Sequence, residues 1–420
     1  MYLCTLIDVK GEKIFMKDRI CKILFCCFLI AIIAPTQRLK AQKKEIAQAR
    51  TYIKSGKDYD KAEQLMTKLL KDSANRLNKQ ILYLRYVAIK MQYEQGNEKL
   101  YLKEKYDTAT FYQLSKRLVE AGEMLDSVDA LPNKKGKVNI SYRQRHSAEL
   151  NLHRPNLFYG GTYYVIKKDY TQAYEFFQAY LECARQPLFQ QYDYAKNDSL
   201  MTQAAYWATY AGYCMDDADK TIRYRDDALR DSAKYAYTLR YLAEAYSWQK
   251  DDEKYREMLE TGFKHFPTNP YFFPRLVDFY QQHQLTEEAL RVADEAIAVD
   301  PKNIIFLFAK STILLNQERY DECIAVTEAL LHCNDSIPEA YYNIGIAYLN
   351  KALTIEQQPN AHKYKKNLLH LYQKARPYME KYREMMPESP KSWASPLYRI
   401  YLNLNMGKQF DEVDKILKSR

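Results

Sequence analysis

The sequence predicts an all-α fold, an α-solenoid in which antiparallel helix pairs stack one on the next. A small or medium-sized residue recurs every 34 positions, at Gly345, Ser311, Val277, Ala243 and Thr209. A large residue follows three positions later in most of these repeats, at Tyr348, Leu314, Tyr280 and Tyr246, with Gly212 as the exception. Pro267 and Pro301 are also 34 residues apart, each at the predicted end of a second helix. A constant period with small, large and proline positions in register is typical of a helical repeat.

Composition agrees with a helical repeat and argues against a nucleic-acid binder. Only 11 Gly and 14 Pro occur in 420 residues, whereas Tyr occurs 39 times. Scarce turn residues and abundant aromatic residues suit stacked helices with a continuous core. The net charge of +10 lies partly in residues 1–41, and the remainder has mixed signs rather than a dense basic stripe. We therefore expect residues 42–420 to form a single array of about eight to nine helix pairs.

Residues 1–41 are predicted to be a leader. The expected translation start is Met16, because Lys17, Arg19 and Lys22 form a basic segment before an apolar run over residues 23–34. Such a run is typical of a secretory signal peptide, here residues 16–41, and is too short to span a bilayer comfortably. The predicted cleavage follows Ala41, which leaves no transmembrane span in the mature protein. A buried helix or a membrane anchor is the alternative.

The first predicted helix pairs follow the leader. Residues 46–54 and a stripe beginning at Ala62 form one pair, separated by a turn over residues 57–62. The second pair is predicted as a helix over residues 80–93, a break at Gly96-Asn97 and a long helix over residues 107–128. Apolar residues at helical spacing support each of these helices.

Three insertions are expected to interrupt the period, near residues 132–154, 186–200 and 350–367. The first contains the most basic stretch, residues 133–146, which we interpret as a solvated loop; a patch for an anionic partner is the alternative. The last insertion lies in the unit that begins at Glu339, whose second helix is expected to resume at Ala375.

Uninterrupted repeats are predicted between and after the insertions. Their ranges are residues 157–181, 204–229, 236–267, 270–301 and 304–335. Residues 393–404 and 410–417 close the chain, and the charged residues of the last helix fit a terminal cap that faces solvent.

The sequence predicts no enzyme, no cofactor and no metal site. No two of its seven histidines are three or four residues apart, and it has no glycine-rich phosphate loop and no nucleophile elbow. Cys323 and Cys333 are predicted to share one helix, too far apart to form a disulfide. For Cys183 and Cys214 a disulfide remains open, against free, half-buried thiols.

The predicted ligand site is an inner wall formed by the first helix of each pair. Its candidate residues are Tyr206, Tyr210, Tyr213, Tyr237, Arg240, Glu244, Trp248, Tyr271, Phe308 and Tyr342. An aromatic wall suits an extended peptide or sugar rings that stack on Tyr and Trp faces. The alternative for each residue is that it packs against the neighbouring repeat.

The sequence resembles the tetratricopeptide repeat (TPR) superfamily over about residues 44–418. The matching segments are PEAYYNIGIAYL (338–349), GGTYYVIKKDYTQAYEFF (160–177) and TEEALRVADEAIAVDP (286–301). Three further segments resemble exported TPR proteins of Gram-negative bacteria with no assigned function. These are YLKEKYDTATFY (101–112), ARPYMEKYREMMPES (375–389) and LYRIYLNLNMGKQFDE (397–412). The resemblance implies a TPR superhelix and export to the periplasm or cell envelope.

The resemblance also bears on the class of ligand. One TPR subgroup binds acidic C-terminal peptides through Lys, Asn and Arg on the inner helices. The corresponding positions here hold Phe158, Thr162, Tyr206, Tyr210, Arg240 and Glu244, so that ligand class is not implied. From the aromatic inner wall and the lack of catalytic residues we expect a non-enzymatic scaffold or adaptor that binds a protein or peptide. A glycan-binding protein in nutrient capture is the alternative, and a nucleic-acid partner is not expected.

Overall fold

The computed structural model describes residues 42–133 and 135–418, and all regular secondary structure in these ranges is helical. The predicted leader lies outside the described residues. The chain divides into two compact units, the first ending at Ser232 and the second beginning at Ala233; each is described by itself. Over the described ranges, none of the helices is both long and apolar enough to cross a membrane.

Unit 1 consists of helices that pack on their neighbours in the sequence. They are α1 (42–55), α2 (Tyr59–Leu70), α3 (Lys79–Tyr101), α4 (Thr108–Asp129), α5 (Arg143–His153), α6 (Pro155–Ile166), α7 (Tyr170–Glu182), α8 (Tyr194–Asn197), α9 (Leu200–Cys214), α10 (Ala218–Ile222) and α11 (Arg225–Ala228). Two 3₁₀ turns, Cys183–Arg185 and Pro187–Tyr192, connect α7 to α8.

Unit 2 consists of five helix pairs in which each helix packs on the one before it. They are α12 (Tyr235–Gln249) with α13 (Asp252–His265), α14 (Phe272–Gln282) with α15 (Thr286–Val299), α16 (Ile304–Asn316) with α17 (Tyr320–Cys333), α18 (Pro338–Glu356) with α19 (Lys365–Met385), and α20 (Pro390–Asn403) with α21 (Gly407–Lys418). Helices α12 to α17 fall within the repeats predicted over residues 236–335, except that α12 begins one residue earlier, at Tyr235.

The small positions of the period lie where helices are in close contact. A Cβ atom added to Gly345 on α18 would lie 2.5 Å from the Sδ atom of Met379 on α19. Ser311, Ala243 and Thr209 at equivalent positions are completely buried. Gly212, the exception among the large positions, is also explained. Its Cβ would lie 2.5 Å from the backbone nitrogen of Thr221, so the glycine lets the backbone of α10 approach α9.

The predicted break at Gly96-Asn97 is wrong, because α3 continues through it to Tyr101. A Cβ on Gly96 would lie 2.8 Å from the ring of Tyr106, so the glycine makes room for an aromatic side chain. An interior glycine costs a helix only about 1 kcal/mol relative to alanine, and packing of the ring offsets that cost. The glycine thus marks a close contact within a continuous helix.

The first insertion contains a helix, α5, that the sequence analysis did not predict. Its start is held by Asp126 and Asp129 at the end of α4. Arg143 donates two hydrogen bonds of 2.8 Å to the Asp126 carboxylate, and the Ser141 N–H donates to Asp129. His146 is buried with its ring 4.3 Å from that of Tyr86. These contacts join the insertion to α3 and α4.

The second insertion folds around a buried arginine. The guanidinium of Arg154 lies between two aromatic rings, 3.7 Å from the centroid of Tyr180 and 3.6 Å from that of Tyr194. It donates hydrogen bonds of 2.6 Å to the Asp198 carboxylate and 3.1 Å to the backbone oxygen of Tyr180. Tyr194 and Asp198 belong to the insertion, so Arg154 connects the insertion to the preceding repeat.

None of the four cysteines in the described residues forms a disulfide. They are Cys183, Cys214, Cys323 and Cys333.

The third insertion lengthens a helix pair. α18 extends to Glu356, and α19 begins at Lys365, ten residues before Ala375. Tyr372, in the added part of α19, is buried and donates a hydrogen bond to Glu356 at 2.5 Å. The insertion thus extends α18 and α19, and residues 357–364 between them form a turn and a short 3₁₀ segment.

Candidate ligand-binding site

Four of the predicted site residues lie along one side of α12. Tyr237, Arg240, Glu244 and Trp248 follow one another at intervals of three or four residues, which places them on the same helical face. Tyr237 and Trp248 are 52% and 38% exposed, and Arg240 is exposed as well. The four residues therefore share one face of α12.

The start of α14 brings Tyr271 to this face. Tyr271 precedes the helix, and its N–H donates to the Asn269 side chain at 2.9 Å, which holds the turn between α13 and α14. Its hydroxyl donates a hydrogen bond of 2.9 Å to Oε1 of Glu244. Its ring is 5.3 Å from the guanidinium carbon of Arg240 and 4.1 Å from that of Arg275. We call these four side chains, Arg240, Glu244, Tyr271 and Arg275, the Arg240–Tyr271 site.

The charges of the Arg240–Tyr271 site do not balance. It holds two guanidinium groups and one carboxylate, and that carboxylate accepts the Tyr271 hydrogen bond and lies 3.8 Å from Nε of Arg275. Burial, with Glu244 nearby, raises the pKa of Tyr271, so its hydroxyl keeps the proton that it donates. Within the described part of the chain, Arg240 has no carboxylate partner. The site therefore presents an exposed guanidinium positioned by an aromatic ring.

Sequence analysis missed Arg275, although a signal was available. Tyr271 precedes α14 with helical backbone angles, so Arg275, four residues later on the helix, lies on the same side. The prediction followed aromatic residues along the first helices and did not extend the face of α14 beyond Tyr271. Tyr271 itself is only 8% exposed, so its role in the site is to position the two arginines.

The predicted residues of unit 1 form an aromatic group on α9. The ring of Trp207 lies 5.1 Å from that of Tyr206 and 5.7 Å from that of Tyr210. Tyr210 also meets Tyr170 on α7 at 5.8 Å. Tyr206 is buried, whereas Tyr210 and Tyr213 are half-buried. Packing within unit 1 thus accounts for Tyr206 and for part of the Tyr210 surface.

Phe308 and Tyr342 are half-buried packing residues. Phe308 on α16 packs against the apolar cluster of Leu307, Leu330 and Ala340. The ring of Tyr342 on α18 lies 5.1 Å from that of Tyr382 on α19. Neither is among the side chains in contact around Tyr271, so the structure groups only part of the predicted set.

The basic segment over residues 133–146 is partly used for folding. Arg143 pairs with Asp126, His146 is buried, and Lys134 lies outside the described residues. The Asn133 side chain accepts the N–H groups of Lys135 and Lys137 and closes the turn around Gly136, where φ is +73°. A solvated turn, the favoured interpretation, fits these contacts.

Comparison with known proteins finds similarity in structure only. No family model matches the chain, and no curated protein matches its sequence. Among solved structures, the C-terminal part of a TPR repeat-containing protein from Cytophaga hutchinsonii is 12% identical with a TM-score of 0.42, over 61% of this chain and 93% of that one. YrrB, described as a TPR protein with an unusual peptide-binding site, is 16% identical with a TM-score of 0.34, over 48% of this chain and 94% of that one.

A third similar structure covers more of the chain. The TPR domain of P58(IPK) is 12% identical with a TM-score of 0.27, over 87% of this chain and 99% of that domain. TM-scores this low carry no argument about a ligand. The likeness to helical repeat proteins depends instead on three features of this chain. They are the helix pairs, their 34-residue period and the buried small residues at Gly345, Ser311 and Ala243. By these features the chain is similar to the tetratricopeptide repeat proteins.

Proposed function

We propose that this chain is a non-enzymatic TPR scaffold that binds a protein or peptide through the Arg240–Tyr271 site. The observation that carries the proposal is the exposed guanidinium of Arg240, which stacks near a buried tyrosine and has no carboxylate partner among the described residues. Arginine forms two parallel hydrogen bonds with a carboxylate, and it is enriched at the energetic centres of protein interfaces.

Neighbouring aromatic side chains extend the surface around Arg240. Tyr237 lies one turn before it and Trp248 two turns after it on α12. Exposed aromatic side chains beside an arginine can bury an apolar side chain of a peptide while the guanidinium orients its carboxylate. A peptide with an acidic residue next to an apolar one therefore suits the site.

Co-purification with variants tests this proposal. The tagged protein is recovered from the native envelope fraction in mild detergent, and its partner is compared between wild type and Arg240→Glu. Lys302→Glu is the matched control, because Lys302 is exposed, belongs to the same unit and forms no ion pair with any residue that the structure describes. Loss of the partner in Arg240→Glu alone supports the site. Equal recovery from all three proteins would remove the site from the binding surface.

A glycan is the second candidate ligand, favoured by the exposure of Tyr237 and Trp248 on one helical face. Sugar rings stack on such aromatic faces. Titration with oligosaccharide should then quench tryptophan fluorescence in wild type and much less in Trp248→Ala. A protein partner that is recovered without any oligosaccharide effect would exclude the glycan.

We further propose that the protein works in the periplasm or cell envelope of a Gram-negative bacterium. The support is the basic segment and apolar run over residues 16–41. Sequencing the N-terminus of the native protein tests this. A mature protein that begins near residue 42 agrees with export, whereas one that begins near Met1 contradicts it.

A further inference from the structure

Unit 1 contains an open pocket between α2, α3 and α4. Its volume is about 710 Å³, within the range of known ligand pockets. One wall is the end of α2 with the turn that follows, and the opposite wall is α4 between Glu120 and Val128. Arg85 on α3 and Gln186, just after α7, complete the lining. We call it the α2–α4 pocket.

Two apolar side chains in the α2–α4 pocket are largely uncovered. Leu77 is 65% exposed and Met124 is 48% exposed. Leu77 lies on a well-ordered turn, because the next residue, Asn78, caps α3 by accepting the N–H groups of Gln80 and Ile81 at 3.1 and 3.3 Å. Covering these side chains would remove apolar surface from water, which is favourable by about 25 cal/mol per Å². The pocket thus offers apolar area whose position is set by the fold.

Three basic side chains at the edge of the pocket lack ion-pair partners among the residues of known placement. Across the described ranges, Lys71 and Arg76 pair with no carboxylate, and Arg85 makes one hydrogen bond, from Nε to Thr67 Oγ1 at 3.3 Å. Basic residues just outside the pocket behave differently, since Lys68 and Lys79 pair with carboxylates at 2.8 and 3.1 Å. The cations that line the pocket are therefore available to an external anion.

The two carboxyl groups in the pocket do not cancel this positive charge. Burial raises the pKa of Glu120, and it raises the pKa of Glu123 to about 7. Glu123 is thus partly protonated near neutral pH, and three cations face fewer than two full negative charges. Uncovered apolar side chains beside a net positive edge select a ligand that is apolar in the middle and acidic at its sides.

We propose that the α2–α4 pocket binds a segment of a polypeptide partner that presents an apolar side chain flanked by carboxylates. The apolar side chain covers Leu77 and Met124, and the carboxylates pair with Lys71, Arg76 and Arg85. This site belongs to unit 1 and does not depend on the function proposed for the Arg240–Tyr271 site. It can therefore fail or succeed separately.

Methionine-methyl NMR tests the proposal with defined probes. The full-length protein carries ¹³C-methyl methionine, and the Met124 resonance is assigned from Met124→Leu. One probe is a synthetic peptide with a leucine stripe flanked by glutamates, and the other has lysines in place of the glutamates. The glutamate peptide should shift the Met124 resonance and bind at least about tenfold more tightly than the lysine peptide.

Variants separate the charged and apolar parts of the pocket. The double variant Arg76→Glu/Arg85→Glu should reverse the preference towards the lysine peptide, and Leu77→Ser should weaken binding of the glutamate peptide. Arg145→Glu and Leu152→Ser are matched controls, because both residues are exposed in unit 1 outside the pocket, and neither should change binding.

Four results would overturn the proposal. The first is no shift of the Met124 resonance with either peptide at about millimolar concentration. The second is equal affinity for the two peptides, and the third is an unchanged preference in the charge-reversed variant. The fourth is a Met124 resonance that shifts when the protein alone is diluted, which would show that a second copy of the chain covers the pocket.

Discussion

Replacing Arg154 by methionine should weaken the packing of the second insertion, residues 186–200, on the rest of unit 1. Methionine keeps most of the side-chain volume but removes the charge that lies between Tyr180 and Tyr194 and pairs with Asp198 at 2.6 Å. The Arg154 side chain is 4% exposed and that of Asp198 is 15% exposed, so the pair is largely shielded from water. Removing one member of a buried ion pair costs roughly 3–5 kcal/mol.

The expected loss lies near the lower end of that range. Asp198 keeps a hydrogen bond of 2.6 Å from the Tyr180 hydroxyl, and part of its carboxylate reaches solvent. The Nε atom of Arg154 is buried and has no hydrogen-bond partner in residues 42–133 and 135–418, so part of its desolvation cost disappears in the variant. We therefore expect a local destabilisation of about 3 kcal/mol, which corresponds to about a hundredfold larger opening constant.

Hydrogen exchange over residues 186–200 is the appropriate assay. A chain with two compact units need not unfold in one step, so a single free energy of unfolding is less informative than local protection. Arg145→Met, at an exposed position of unit 1, should change protection there by less than about 0.5 kcal/mol. If Arg154→Met raised exchange less than about fivefold, the buried ion pair would not be what holds the insertion.

Three further predictions concern other contacts. Gly345→Leu should destabilise unit 2 by about 1–3 kcal/mol, because an added Cβ would lie 2.5 Å from Sδ of Met379. Shortening that neighbour should relieve the overlap, so the double variant Gly345→Leu/Met379→Ala should melt at a higher temperature than Gly345→Leu alone. Burial lowers the pKa of His146 in the folded protein, so as the pH falls through about 6.5 the unfolded chain binds a proton at this histidine before the folded chain does. The folded state therefore loses stability below that pH. In melts at acid pH, His146→Gln should lose less stability than wild type, whereas the control His362→Gln should lose as much. Tyr271→Phe should cost about 1.5–3 kcal/mol in chemical denaturation, because it removes a hydrogen bond to a carboxylate.

The repeat could be predicted from sequence because each crossing of two helices restricts side-chain size. At Gly345 an added Cβ atom would lie 2.5 Å from Sδ of Met379 on the partner helix, and at Ser311 or Ala243 the side chain is completely buried. The same restriction recurs every 34 residues, so the sequence displays it several times. Gly96 misled the prediction, since a glycine that receives a ring from Tyr106 and a glycine that ends a helix look alike in sequence.

The structures of the insertions could not be predicted, because they break the period that supplies the register. Arg154 meets the backbone of Tyr180, 26 residues later, and the side chain of Asp198, 44 residues later. Neither interval is a repeat length or a helical spacing. The sequence shows an arginine before a proline and gives no indication that two tyrosine rings will enclose it. Contacts of this kind depend on the fold of the whole unit.

The candidate site was predictable along a helix but not between helices. Helical spacing placed Arg240 and Glu244 on one face of α12, and the structure agrees. It could not show that Tyr206 is 6% exposed while Tyr237 is 52% exposed. Both are tyrosines on first helices, and their exposure depends on which neighbouring side chains cover them.

The geometry around Tyr271 gives a physical reason why an arginine suits position 240. A ligand that pairs with a mobile basic side chain must order it, at a cost of about 0.5–1.5 kcal/mol. The guanidinium carbon of Arg240 already lies 5.3 Å from the centre of a ring that Glu244 and the start of α14 hold in place. A lysine would keep the charge but would lose the planar guanidinium, which can stack on an aromatic ring and bind a carboxylate through two hydrogen bonds. Affinity at this site therefore depends on the tyrosine and the glutamate that orient the arginine as well as on its charge.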